Sequence, residues 1–482
     1  MRNKISTLFL FLKRRKKYLS GFLLLGMMLL ILTGCSRAEM NAQIAESIGT
    51  LGMYENNEPV ETPKMRSERE MQETKNAIEN DLVGHLELAA RYAASYSYDK
   101  ALNEIALIDE NYQDDERVIS AKIEYQRLQN QMVLYNSNIA HFSVKTLIAD
   151  PSLAFDQDDM SYYYNNWNLT VDEFKKILES LYKNNYVLMD IYDTVVEITN
   201  EDGTISFALN HPVVPQGKTP IILSFTEANY YSYGDDDGFS TKMVLDENGE
   251  IQNEYTDASG EKHVGAYDVV PILNEFVEEH PDFSLRGAKG IISVTGSEGV
   301  FGYGIETGAS TIKEIAQTLR TDGWRIACHS YSNEQYESVL DYDKMAQDLD
   351  EWEEKVGTLV YTQAEEKEKT SEPESEAVQL EKTVSEDSEE EEQNIEDRAK
   401  LFIYPYGDEV SPGTMKHKWL LDAGYKFFFS LWATSDYLEV NSDYVRQSRR
   451  TLDGYGLHFY GESMEEFFDA ESILDPSRPS FE

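Results

Sequence analysis

The chain has little cysteine and little positive charge. Two cysteines, Cys35 and Cys328, occur in 482 residues, which is too few for a disulfide scaffold. Lysine and arginine number 43 against 88 aspartates and glutamates, a formal net charge of −45. That balance excludes the basic footprint of a nucleic-acid binder, and no nucleic-acid partner is expected. The acid excess names no activity, and part of it is local: residues 361–400 hold 15 acids and 5 bases. What the chain has in quantity is tyrosine, with 31 copies. Tyrosine serves sugar-handling surfaces but also ordinary cores and rims, so composition alone decides little.

The position of the cysteines is more informative than their number. A basic block, "KRRKK" (Lys13 to Lys17), precedes the apolar run "LLLGMMLLILTGC", which closes on Cys35. A charged start, about 15 apolar residues and a small residue before the cysteine describe an export signal. "LTGC" (Leu32 to Cys35) resembles a bacterial lipoprotein lipobox. It implies a signal peptide over 1–35, a diacylglyceryl group on Cys35, and anchoring at the extracytoplasmic face of the cell membrane. An uncleaved membrane anchor is the other reading, although the run is short for a span of about 20 residues. With Cys35 lipidated, Cys328 has no partner.

Residues 36–64 are polar, carry Pro59 and Pro63, and read as a tether. From 65 to 137 the pattern is helical: Leu82, Leu86, Ala89, Ala90 and Ala93 share one face, and two further helices follow. The region resembles a tetratricopeptide-type hairpin with fewer than the roughly three repeats an array needs. It is either a small helical spacer or a docking element for a protein partner.

From 138 to 463 the texture becomes α/β. "LTVDEFKKILESLYKNN" carries a capping box, Thr170 with Glu173, and a core stripe of Phe174, Ile177, Leu178 and Leu181. Strand-like runs "YVLMDI", "IILSF", "KGIISVT", "WRIACHS", "LFIYPYG" and "YKFFFSLW" alternate with helical ones. The alternation predicts a parallel sheet or barrel, preceded by a small all-α domain. The acidic stretch 362–398 interrupts this rhythm and reads as a solvated insertion within one domain, with a domain boundary as the alternative. Residues 464–482 read as a C-terminal tail. "ENGE" and "TDASGEKHV" are turn signatures of a hairpin insertion. "RQSRR" (Arg446 to Arg450) reads as a salt-bridge set at a strand end, or as a contact for an anionic wall polymer.

The strand "IILSF" followed by "TEANYY", then "CHSYSN" and "YPYG", resembles the polysaccharide deacetylase family (the nodulation-deacetylase homology domain) over roughly His141 to Tyr460. "GDDDGF" (Gly234 to Phe239) and "VVPILNEFVEEHPDFSLRGAKG" (Val269 to Gly290) resemble a branch in exported proteins of low-GC Gram-positive bacteria. The resemblance implies a deformed (β/α) barrel and metal-assisted hydrolysis of an N-acetyl group. An Asp pair would supply the base and one ligand to a divalent metal, usually zinc, and a His-Ser-x-x-His motif the other two. Three protein ligands with an open position suit a hydrolytic zinc.

Carried over residue by residue, this set is altered. Thr226 stands at the base position and Glu227 at the metal-ligand Asp. His329 remains, but Asn333 replaces its partner, and a neutral amide is a poor substitute for imidazole on zinc. Pro405, Tyr406 and Gly407 keep the groove segment, with Ile403 where the resemblance places an Arg. His458 in "GLHFY" is the candidate late histidine, the general acid. Two readings of Glu227 stay open: a ligand in a rearranged site with His329 and an Asp of "GDDDGF", or a solvated acid in a vestigial cleft. The resemblance implies an N-acetylated polysaccharide or peptidoglycan as partner, and either an altered deacetylase or a glycan-binding pseudoenzyme. A scaffold lipoprotein is the alternative. Cys328, next to His329 on its strand, should face the opposite side and pack as a small hydrophobe.

Overall fold

A computed structural model of the chain describes residues 54–55, 58–59, 63–201, 204–362, 399–432 and 436–481. The expected signal segment, Cys35, most of the tether and the acidic insertion lie outside the described residues. Among the described residues no helix is long and apolar enough to cross a membrane. The chain divides into two compact units, 1–83 and 84–482. The first contains the start of helix α1 (Pro63–Ala94), where Arg69 and Glu73 pair one turn apart at 2.8 Å.

The second unit continues through α2 (Tyr98–Leu107) and α3 (Glu116–Gln129). The expected helical region to 137 ends sooner. Met132–Leu134 is a strand, paired antiparallel with Val213–Pro215. A three-residue apolar run has no period of its own, and the partner strand decides its conformation.

Strands β1 (Ala140–Val144), β2 (Tyr186–Leu188), β3 (Thr219–Phe225), β4 (Gly290–Val294), β5 (Trp324–Cys328), β6 (Lys400–Ile403), β7 (Tyr425–Leu431) and β8 (Val445–Leu452) pair in parallel. Seven of them close a ring in the order β1, β3, β4, β5, β6, β7, β8 and back to β1. The eighth, β2, causes the deformation. It takes the first half of one edge of β3 (Thr219 to Ile221), while β4 takes the second half of that edge at Ser224 and Phe225. The expected α/β class, the deformed (β/α) barrel and the preceding helical region are all present.

Helices α4 (Ser161–Trp167), α5 (Val171–Lys183), α6 (Val269–Glu279), α7 (Ala309–Thr321), α8 (Tyr342–Trp352), α9 (Met415–Asp422) and α10 (Gly454–Phe459) lie between or after the strands. The α5 capping box forms in both directions between Thr170 and Glu173, and its stripe of Phe174, Ile177, Leu178 and Leu181 is buried. Strand alternation sorts the core into two clusters. Phe142, Ile292, Cys328 and Phe402 pack with helix residues such as Trp352. Ile222, Ile291, Ala327, Leu401, Phe427 and Val445 form the other cluster, inside the ring. Cys328 is therefore buried on the face opposite Ala327, as its place beside His329 predicts.

Three further features bear on the site. No apolar run marks 445–452 as a strand, yet β8 closes the barrel. The turns at Asp246–Gly249 and Asp257–Gly260 join a three-stranded antiparallel insertion, Ser240–Leu245, Ile251–Thr256 and Lys262–Gly265. Residues after 463, read as a tail, are docked on the barrel: Phe467, Phe468 and Ile473 are buried.

Candidate functional site

In a parallel barrel all strand C-termini meet at one rim, where α/β barrels gather chemistry. Here Lys145 follows β1, Thr226 and Glu227 follow β3, His329 follows β5, and Pro405 to Gly407 follow β6. The rim backbone is stitched together: Thr226 N donates to Val144 O at 2.8 Å and His329 N to Val294 O at 3.1 Å. Glu227 N donates to Ser293 Oγ at 3.2 Å. Glu227, Tyr230, Ser330, Asn333 and Tyr406 all take the left-handed conformation, with φ of 64°, 59°, 61°, 58° and 56°. Each such non-glycine residue costs on the order of 1 kcal/mol, and such residues cluster where function fixes them.

The Glu227 side chain is 12% exposed and lies between two nitrogens. Lys145 Nζ and His329 Nε2 each approach its Oε1 at 3.6 Å. Burial would raise this carboxyl, but the Lys145 charge and then His329 outweigh it and hold Glu227 down to about 2. Lys145 shows the reciprocal effect: burial opposes its charge, and Glu227 nonetheless lifts it to about 12. The pair is ionised at neutral pH.

Beneath it sits a polar floor inside the barrel. Thr226 Oγ1 lies 2.9 Å from Ser143 Oγ and accepts a 2.8 Å hydrogen bond from Arg449 Nη1. The same nitrogen reaches Ser143 and Ser224 at 3.2 and 3.1 Å. Arg449 is fully buried, and burial lowers it to about 9 against the pull of Glu227. A guanidinium thus does reach position 226, from β8 instead of from position 403, where Ile403 is buried in the barrel. The reading of "RQSRR" as salt bridges holds for Arg446 with Glu409 and Arg450 with Asp436. Arg449 points inward instead. Lys145 and Arg449 are the site residues the sequence reading missed.

The donor set does not fit a zinc. His329 Nδ1 lies 2.7 Å from the Ile403 carbonyl oxygen, which places its proton there and leaves Nε2 buried without a hydrogen bond. That nitrogen and Glu227 are two plausible ligands. Asn333 adds only an amide, whose Nδ2 reaches Tyr231 Oη at 3.4 Å. The "GDDDGF" acids turn elsewhere: Asp237 accepts from Tyr164 Oη at 2.8 Å, and Asp235 and Asp236 are exposed. A third strong ligand is missing, and the ammonium of Lys145 stands on the carboxylate. Among the described residues the one group of three His and acid ligand atoms within 4.8 Å of one another is Asp257, Glu261 and His263, on the antiparallel insertion.

The cleft above Glu227 is narrow, with a volume of about 30 Å³, and opens to solvent. Lys145, Tyr163, Thr226, Glu227, Tyr231 and Tyr233 are among its walls. Tyr231 and Tyr233 stack at 5.5 Å between ring centroids. Tyr406 stands close enough that, after burial, the Glu227 charge pushes up its phenol. Gly407 has a φ of 71°, and a side chain there would collide with Leu431. His458, the candidate acid, is exposed on α10 and stacks on Phe481 at 4.4 Å. It is not among the cleft residues. The short match "GLHFY" continued past β8 into a helix on the outer surface.

These features define a (β/α)-barrel protein with an ionised Lys145–Glu227 pair beside His329 at its strand ends. No model of a known protein family matches the chain, and no curated protein matches it. A solved structure, "Streptococcus pyogenes deacetylase PplD in complex with acetate", matches with a TM-score of 0.33 and 9% sequence identity, covering 67% of this chain and 96% of that one.

Proposed function

We propose that this chain is a cell-surface lipoprotein whose barrel binds N-acetylated wall glycan in the cleft above Glu227 without metal-assisted turnover. The observation that carries the reading is the Lys145–Glu227 pair. An ammonium neutralises the carboxylate that would otherwise serve a metal. Thr226, at the base position, has its hydroxyl committed to Ser143 and Arg449 and cannot take up a proton at neutral pH. What remains suits recognition. Glu227 accepts hydrogen bonds from sugar hydroxyls or an amide N–H, Lys145 donates to an acetyl or hydroxyl oxygen, and the tyrosine faces meet the apolar face of a pyranose ring. Anchoring through Cys35 comes from the lipobox resemblance.

The test combines metal analysis, acetate assay and calorimetry on the purified protein with N-acetylglucosamine oligomers. Zinc should be substoichiometric, acetate release absent, and affinity unchanged by a chelator. Glu227→Gln should weaken binding about tenfold, the worth of one charge-assisted hydrogen bond. Acetate release that His329→Ala abolishes would refute the reading. The anchor is tested separately: a fatty-acid analogue should label the protein but not Cys35→Ser, and equal labelling of both would remove the lipoprotein assignment.

A further inference from the structure

Tyr163 is part of the cleft wall. That residue is on α4, and Trp167 follows it by four positions on the same helix. Residues so spaced share a face, about 6 Å apart along the axis, which is comparable to the length of one sugar ring in a chain. Asn168, the next residue, again lines the cleft. Trp167 is 41% exposed. One of its faces lies on Tyr455 of α10, at 5.5 Å between centroids and 26° between planes. Phe459 packs on Tyr455 at 4.6 Å and is itself 46% exposed. A contiguous exposed aromatic patch beside a cleft marks an interaction surface.

The patch is built to be rigid. A side chain at Gly454 would collide with the carbonyl oxygen of Asn165 and with Arg478, so α10 can approach α4 only through a glycine. Arg478, from the segment read as a tail, donates to the carbonyls of Asn165 and Asn168 at 2.6 and 2.7 Å. Its Nε and Nη2 also grip the two oxygens of Glu173 at 2.6 Å each, with side chains 3% and 0% exposed. A buried ion pair adds little stability over apolar packing, but this one fixes the end of α4, and with it Trp167, against the barrel.

We propose that Trp167 and Tyr455 form a second sugar subsite, so that the ligand is a glycan chain of several rings running from Glu227 across α4. This rests on the glycan reading of the cleft. The face of Trp167 turned away from Tyr455, held rigid by that stack, suits the C–H face of a pyranose while leaving its hydroxyls in water. An anionic lipid surface fits less well, because the chain carries a net charge of −45 and like charges repel.

The experiment is calorimetry with the dimer and the hexamer of N-acetylglucosamine, together with sedimentation against phosphatidylglycerol vesicles. The unmodified protein should bind the hexamer about tenfold more tightly than the dimer, the scale of one aromatic stack. Trp167→Ala should bring that ratio toward one, and Trp167→Phe should restore part of it. A ratio untouched by Trp167→Ala overturns the subsite while leaving the cleft reading intact. Vesicle binding that depends on Trp167, with no hexamer preference, overturns it in favour of a membrane contact. Absence of binding to either oligomer removes the glycan reading and the subsite with it.

Discussion

Glu227 and Asp268 are two buried carboxylates with opposite electrostatics. Glu227 has a cation: Lys145 stands at 3.6 Å and, with His329, holds it down to about 2. Asp268, at the N-terminus of α6, has no cation, only two backbone amides and the Tyr230 hydroxyl as donors. Its Oδ1 accepts from Leu147 N at 2.9 Å and Val269 N at 2.8 Å, while Oδ2 is buried without a hydrogen bond. Burial outweighs those donors and pushes Asp268 up to about 7. The two regions are neighbours in the chain, since Leu147 follows Lys145 by two positions. Depth in the fold therefore does not set charge here; an ammonium within reach does. The pH signs differ accordingly. The contribution of Glu227 is present above its unfolded value near pH 4.5 and is lost as pH falls toward 2. Asp268 keeps its proton in the fold while the unfolded chain gives it up, so stability falls as pH rises from about 4 to about 7.

Removing the cation should turn the first carboxylate into the second, with the larger effect. Lys145→Met leaves Glu227 buried and unpaired except for His329. Breaking a fully buried pair costs about 3–5 kcal/mol. Here Lys145 is 27% exposed, so water screens part of the loss and about 1–3 kcal/mol is expected. Glu227 should then titrate above the ordinary carboxylate range. The double variant Lys145→Met, Glu227→Gln should regain most of the stability, because it removes the orphan charge. Chemical denaturation at pH 7 and carboxyl NMR titration read both effects. An unchanged Glu227 titration in Lys145→Met would show that His329 or the floor, and not Lys145, holds the charge.

The same contrast explains what the sequence made legible. Strands β3 to β7 announce themselves as apolar runs, and the stripe of α5 by its period, because apolar burial leaves a pattern. The closing strand β8 does not: "VRQSRRTL" turns Gln447 and Arg449 into the barrel, where His141, Ser143 and Ser224 make a polar interior for them. Its alternation of Val445, Gln447 and Arg449 with outward residues was the available signal, masked by the charges of Arg446 and Arg450. Lys145 was illegible for a different reason. A single lysine after a strand has no motif, and its meaning comes from Glu227, 82 positions away in the sequence. Thr226, Glu227, His329 and Asn333 were legible as positions, and folding does bring them to one rim. Their chemistry was not, since Lys145 and Arg449 decide it.

The Asp268 side of the comparison predicts a smaller and opposite change. Asp268→Asn keeps an oxygen for the N–H groups of Leu147 and Val269, so the cap on α6 should survive. The proton uptake disappears. The gap between about 4 and about 7, at about 1.4 kcal/mol per pH unit, bounds the gain above pH 7 at about 4 kcal/mol. The new amide places an N–H₂ where Oδ2 now lacks a partner, which costs roughly 1–3 kcal/mol. A net gain of about 1–3 kcal/mol at pH 8 is expected, with no gain at pH 4. The fall in stability between these values should shrink without vanishing, because Asp453, which burial pushes up to about 6, still titrates there. Thermal melts from pH 4 to 8 decide the matter. A pH profile identical to that of the unmodified protein would mean that Asp268 ionises normally, and that buried carboxylates in this barrel need no cation after all.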